Sequence, residues 1–300
     1  MRIRATVAAV TGALALSALV VPAAAQADGA HGVGTVEAAR SVFKNAPVKT
    51  APLGAKARVV TRAAVDTRIS SVTVNGGKDI VLGTTVAKTI TASVTATDNS
   101  GIQDAVVFLW HGTDIDSAVD GYLGPKVDDN TTQVSKCTKV NATTSTCKVS
   151  FKVDPRSQND LYKNSLAGTW KVYVSALAKD GQWVESNAYK SQHVQRASTQ
   201  TVNAAPEPVK KGKTITVTGK LARANWENYK YQGYTGQPVK LQFRKKNSNT
   251  YTTVKTLKTN GTGELKTTVK AVEDGYWRYN FAGTTTTPAA IAAGDFVDVK

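Results

Sequence analysis

The alternation of apolar and polar positions is clearest over residues 168–183. Val172, Val174 and Ala176 alternate with Lys171, Tyr173 and Ser175, the period-two pattern of a half-buried strand. Gly168 opens the stretch, and Lys179, Asp180 and Gly181 close it with a hairpin turn signal. The pattern returns about a hundred residues later, where Trp277, Tyr279 and Phe281 fall on one side and Tyr276, Arg278 and Asn280 on the other. Two such units predict two β-sandwiches, each with one of these strands in its core.

The rest of the chain fits that division. Strands are predicted over 69–74, 80–82 and 88–97, with turn clusters at Asn75-Gly76-Gly77 and Asp98-Asn99-Ser100-Gly101. Residues 105–110 are nearly all apolar, as a central strand requires. A polar, acidic connection is predicted over 111–130. Residues 131–140 and 144–153 form a hairpin about Asn141-Ala142-Thr143, and 154–167 a long loop. A last strand covers 182–194. Many short strands with frequent turns over about 130 residues are the mark of an Ig-like sandwich. Residues 197–209, with Pro206 and Pro208, read as the join. Beyond it, 213–221, 239–244, 265–271, 276–281 and 296–299 make the second sandwich. In 213–221, Ile215, Val217, Gly219 and Leu221 are expected inward.

The fold class is therefore all-β: two tandem Ig-like β-sandwiches after a signal peptide and a flexible linker. The signal peptide is residues 1–27: Arg2 and Arg4, an apolar run over 5–21, and Ala25 and Ala27 as small residues before the cut. The linker is 28–65. A short helix over 36–45 has no evident partner and would be marginal alone, so poor order is expected there. The first sandwich is 66–196 and the second 197–300. Cys137 and Cys147 are the chain's two cysteines, and in an exported protein they are expected to pair across the 131–153 hairpin. A secreted, extracellular monomer without an integral membrane anchor is expected.

Charge divides the two sandwiches. Residues 66–196 hold fourteen basic and thirteen acidic residues; residues 197–300 hold sixteen and seven. The excess of the second sandwich favours anionic partners. Lys240, Arg244 and Lys246 alternate with Val239, Leu241 and Phe243, so they point outward, and Arg278 joins them if Trp277 and Tyr279 are core. Lys255 and Lys258 are expected on the following strand nearby. Trp226, Tyr229, Tyr231 and Tyr234 precede this face and are candidates to stack on sugars beside the cations. The expected partner is an anionic cell-wall polymer or polysaccharide. Nucleic acid is not expected, since neither a recognition helix nor an RNA-binding fingerprint is present.

A second reading starts from the acids Asp114, Asp116, Asp120, Asp128 and Asp129 in the 111–130 connection, with Asp154 and Asp160 expected on the adjacent loop. Carboxylates from two loops suit calcium, although the spacing departs from an EF-hand. On this reading the protein is an extracellular calcium binder, and calcium is the one cofactor considered. Asp98 and Asp180 are expected at the opposite end. For catalysis, His31, His111 and His193 are scattered, and no nucleophile elbow, zinc-helix motif or phosphate loop is present. A non-enzyme is expected.

The second half also resembles the Ig-like domains of exported actinobacterial proteins, mostly uncharacterised and some labelled calcium-binding. The resemblance rests on LARAN at 221–225, GYTGQPVKLQFR at 233–244, DGYWRYNFAG at 274–283 and GDFVDV at 294–299. VTATDNSGI at 94–102 and AGTWKVYVSALAKDG at 167–181 look like other bacterial Ig-like repeats. These motifs are turns and core alternation. They imply a fold and no catalytic residues.

Overall fold

The computed structural model describes residues 33–44, 66–127 and 133–300. The expected signal peptide, most of the expected linker, His31, Asp128 and Asp129 lie outside these residues.

The first sandwich contains β1 (Arg68–Val74), β2 (Ile80–Leu82), β3 (Lys88–Thr97), β4 (Ile102–Asp114), β5 (Ala118–Leu123), β6 (Lys136–Lys139), β7 (Thr144–Val153), β8 (Gly168–Ala178) and β9 (Trp183–Arg196). They form a four-stranded sheet, β1-β3-β7-β6, and a five-stranded sheet, β2-β9-β8-β4-β5. Among the described strands of this sandwich only β2, against β9, pairs in parallel. β8 lies at the centre of the larger sheet. Its Trp170 is fully buried, and the indole N–H donates to the Leu166 carbonyl at 2.7 Å, so this large side chain leaves no unsatisfied polar atom.

Three features differ from expectation. Within the expected linker, α1 (Val33–Lys44) is helical and has a partner. Val36, Ala39 and Phe43, at helical spacing, pack on Val106, Phe108, Trp110, Tyr122 and Tyr173 of the larger sheet. That sheet is therefore covered on both faces, which explains why 105–110 is apolar without alternation. Second, 111–130 is not one loop: β4 and β5 form a hairpin that runs through His111 and Asp114, with register shifts beside Gly112. Third, the expected join between the sandwiches is partly strand. β9 ends at Arg196 and β10 begins at Ser198.

Cys137 and Cys147 face each other across β6 and β7, with Cα atoms 3.8 Å apart, and are disulfide-bonded. The bond closes a loop with a sequence separation of 10. On the chain-entropy model such a loop is worth about 2.5–3 kcal/mol. Cys137→Ser/Cys147→Ser should lower the urea-derived unfolding free energy by about that amount, and adding reductant to the variant should change nothing further.

The second sandwich contains β10 (Ser198–Gln200), β11 (Asn203–Ala205), β12 (Thr214–Asn225), β13 (Lys230–Gly233), β14 (Pro238–Lys245), β15 (Thr252–Lys258), β16 (Glu264–Lys270), β17 (Gly275–Phe281), β18 (Ala290–Ile291) and β19 (Asp295–Val297). Long β12 pairs with β10 and β11, and with β16 and β13. The facing sheet runs β15-β14-β17, and β18 and β19 also pair with β17. Ile215, Val217, Leu221, Val239, Leu241, Trp277, Tyr279 and Phe281 fill the space between. The inward position of Gly219 stays empty because a Cβ there would come within 2.7 Å of the Tyr279 ring.

Candidate functional site

The outer face of the β15-β14-β17-β19 sheet gathers the predicted cations. Strand parity turns Lys240, Gln242 and Arg244 outward on β14, and Tyr276, Arg278 and Asn280 outward on β17. The register sets Lys240 opposite Asn280, Gln242 opposite Arg278, and Arg244 opposite Tyr276. Gln242 organises the middle of the face. Its side-chain oxygen accepts from Arg278 Nε at 2.9 Å and from Asn280 Nδ2 at 3.3 Å.

Rings hold the two guanidinium groups. Arg278 lies 3.6 Å from the centre of the Tyr251 ring; Arg244 lies 3.8 Å from Tyr276 and 5.4 Å from Tyr251. Arg244 Nη1 also donates to the Ser248 carbonyl at 2.8 Å. The Tyr276 and Phe296 ring centres are 5.1 Å apart, and Lys246 Nζ sits 5.4 Å from Phe296. The result is a continuous row: Arg278, Tyr251, Arg244, Tyr276, Phe296, Lys246. Lys246 is paired with Asp274 at 3.4 Å. Among the described residues, Arg244 and Arg278 pair with no carboxylate. A partly exposed guanidinium held over a ring keeps N–H groups free for an anion.

Not every predicted residue joins this face. Lys255 faces Leu241 because the register of β14 and β15 shifts between Leu241 and Gln242. Its amine reaches the other sheet and donates to Thr267 Oγ1 at 2.9 Å. The four aromatics expected beside the cations belong to the other sheet, at the end of β12 and along β13. Trp226 is 1% exposed and packs into the core of the first sandwich. Its indole N–H donates to the Gly83 carbonyl at 3.0 Å, and its amide to Asn164 Oδ1 at 3.0 Å. Trp226 is therefore a domain-junction residue and not a ligand platform. Tyr234 is half-buried, with the Arg223 guanidinium 3.7 Å over its ring. Tyr229 and Tyr231 are exposed, away from the cationic row. Tyr251, Tyr276 and Phe296 are the rings that lie beside the cations instead. Parity with Arg278 signals Tyr276; Tyr251 carries no such signal, because its position depends on the β14–β15 turn.

The acids of the β4–β5 hairpin do not converge. Asp114 Oδ1 accepts from the Asp116 and Ser117 amides, each at 2.9 Å, and from the Ser117 hydroxyl at 2.8 Å. The Ser117 hydroxyl is the main cause of a pKa below the ordinary carboxylate range. Asp116 pairs with Arg40 of α1. Asp120 bonds His111 Nδ1 at 2.5 Å. Each carboxylate is thus engaged separately, as turn cap, helix anchor or histidine partner. Asp154 binds Arg156 within its own loop at 3.2 Å. His193 sits 3.5 Å from Asp79, far along the chain from His111.

Among the described residues the acids that do meet are Asp66, Asp98 and Asp180, each contributing an oxygen within 4.8 Å of the others. Asp98 is buried and accepts from Thr67 Oγ1 at 2.7 Å, the Ser100 amide at 2.7 Å and the Ser100 hydroxyl at 2.6 Å. Burial works to raise its pKa, but these hydrogen bonds outweigh it and the net shift is downward. A depressed carboxylate contributes stability that is complete above its unfolded pKa of about 3.9 and is lost as pH falls through the folded value. Asp98→Asn should be less stable than the parent at neutral pH. In urea titrations the gap should narrow as pH drops below about 4; a gap of constant size would contradict this role.

The described residues thus define an all-β protein of two tandem Ig-like β-sandwiches with a cationic, aromatic outer face on the second. Residues 83–178 match a family of unknown function, DUF5707. No curated protein matches the chain. Among solved structures, it is similar to the D00-D0 domain of intimin at 16% identity, over 76% of this chain and 99% of that one, with a TM-score of 0.24. It is also similar to the full ectodomain of mouse nectin-like molecule 4 at 13% identity, over 78% of this chain and 63% of that one, with a TM-score of 0.21.

Proposed function

We propose that this is a secreted, non-catalytic binding or structural protein of the extracellular space or cell envelope. It contacts anionic polymers or glycans through the outer face of its second sandwich. The observation that carries this reading is the row in which Arg244 and Arg278, unpaired with acids, lie on Tyr251 and Tyr276. Guanidinium groups supply charge to the polymer, and the aromatic rings of the row supply apolar surface to its sugars. The disulfide fits an oxidising compartment. The acidic hairpin does not favour the calcium reading, because Asp114, Asp116 and Asp120 each serve another partner.

The test is retention of the mature protein on purified anionic cell wall through a salt series. Screening shortens from about 8 Å at physiological salt to about 3 Å at 1 M. Binding should therefore be strong at low salt and lost towards 1 M. Absence of retention, or retention indifferent to salt, would reject the reading.

A further inference from the structure

A second cationic feature lies at the junction of the two sandwiches, on the sheet opposite the ringed arginines. Arg196 ends β9 and is 7% exposed. Its Nε donates to the Ala224 carbonyl at 2.5 Å, its one side-chain hydrogen bond among the described residues. Ser198 faces Arg223 across β10 and β12. The Arg196 side chain thus bonds the residue that follows Arg223, and the Ala224 amide donates back to the Ala197 carbonyl at 2.8 Å, so the two arginines meet where β9 gives way to β12. Arg223 Nη1 donates to Thr286 Oγ1 at 3.4 Å and to Thr287 Oγ1 at 3.2 Å, and its guanidinium carbon lies 3.7 Å from the centre of the Tyr234 ring.

Among the described residues neither arginine pairs with a carboxylate. Glu227 acts on Arg196 only at longer range, and one of its oxygens is taken by the Asn164 amide at 2.9 Å. Burial pushes Arg196 down to about 10, with the Arg223 charge adding to it. Both groups remain charged at neutral pH. Two like charges, desolvated and without a counterion, are costly, and proteins pair or neutralise such groups.

The surroundings favour negative charge. Thr284 to Thr287 form a tight turn closed by two backbone hydrogen bonds, Thr284 N to Thr287 O at 2.8 Å and Thr287 N to Thr284 O at 3.3 Å. Its hydroxyls cluster beside Arg223, with Thr286 Oγ1 3.2 Å from that of Thr284 and 3.4 Å from that of Thr287. Burial works to raise the pKa of the Tyr234 phenol, but the Thr284, Thr286 and Thr287 hydroxyls and Arg223 outweigh it, and the net shift is downward. The threonine hydroxyls and Arg223 thus favour negative charge on an oxygen beside them. Arg223, Tyr234 and Thr286 are partly exposed, so the site opens to solvent.

We propose that Arg196 and Arg223, with the hydroxyls of Thr286 and Thr287, bind a phosphate or sulfate group at the junction of the two sandwiches. The bound group neutralises the arginine pair and ties β9 of the first sandwich to β12 and the threonine turn of the second. It is a site separate from the Arg244–Arg278 row and stands independently of it.

The test is thermal unfolding of the full chain with inorganic phosphate, sulfate or glycerol phosphate, each against sodium chloride at equal ionic strength. Saturation at a hundred times Kd should raise Tm by several degrees. The more tightly bound of free ion and phosphomonoester identifies the source of the group. Arg223→Gln and Arg196→Met should each abolish the response. Arg196→Met should also keep or raise the Tm measured without phosphate, because it removes a buried, uncompensated charge; loss of response is then not loss of fold. Arg244→Ala/Arg278→Ala should retain the response, which separates this site from the outer face. No shift beyond chloride with any of the three anions, or an equal shift in Arg223→Gln and Arg196→Met, would overturn the proposal.

Discussion

Trp226→Ala is expected to destabilise the protein by about 3–5 kcal/mol, the usual cost of truncating a large buried aromatic. The effect should appear in the first sandwich although the residue belongs to the second. Trp226 and Ala224 are packed with Val74, Leu82, Leu161 and Leu166 in one cluster. Truncation opens a cavity there and leaves the Gly83 carbonyl without its indole donor. The junction has further ties: Asn164 Nδ2 donates to Asn225 Oδ1 at 2.9 Å, and Arg196 N to the Thr286 carbonyl at 3.0 Å. Calorimetry should show the variant's first-sandwich transition moved down in temperature and separated from the second. A loss below about 1 kcal/mol would mean that Trp226 is a surface residue after all.

Phe43→Ala is expected to remove most of the docking energy of α1, about 3 kcal/mol or more. Val36, Ala39 and Phe43 are the buried face of that helix. Alone, a helix of 12 residues is marginal in water, so its stability comes from the sheet beneath. Undocking uncovers Val106, Phe108 and Trp110, three outward apolar side chains on a central strand. Such a patch binds hydrophobic dyes and promotes association. Hydrogen exchange over 33–44 should accelerate and dye binding should rise, while the disulfide hairpin keeps its protection. Unchanged exchange in the helix would contradict the assigned role.

Much of the strand order was legible because most strands bury one face. The parity of β17 identified its core residues and that of β14 placed Lys240 and Arg244 outside, whereas on β8 parity found only one of two buried faces, because Tyr173, Ser175 and Leu177 on the other face are buried as well. Failures arose where a second layer or a long-range contact decides. The partner of α1 is a sheet face, and no local pattern announces which apolar strand carries a helix. The β4–β5 hairpin is hidden in the sequence because Asp114, Asp116 and Asp120 read as loop residues, and the burial of Val119 and Tyr122 on β5 is shared with α1, which no local pattern announces. Trp226 looks like an exposed aromatic in a polar stretch, since its burial is supplied by the other sandwich. One shifted register position between β14 and β15 moved Lys255 off the basic face. For the candidate site, the cations could be assigned from period two, whereas the rings that hold them needed the turn before β15 and the pairing of β19 with β17.

The central claim is that the cationic row on the second sandwich binds anionic polymer. The most direct measurement compares the affinity of the full chain with that of Arg244→Ala/Arg278→Ala for purified anionic cell-wall polymer at physiological salt. Tyr229→Ala/Tyr231→Ala on the opposite sheet is the control. The account predicts at least about a tenfold loss for the arginine pair, equivalent to about 1.4 kcal/mol, with the tyrosine variant unchanged. Equal affinity in the arginine variant and the parent would contradict it.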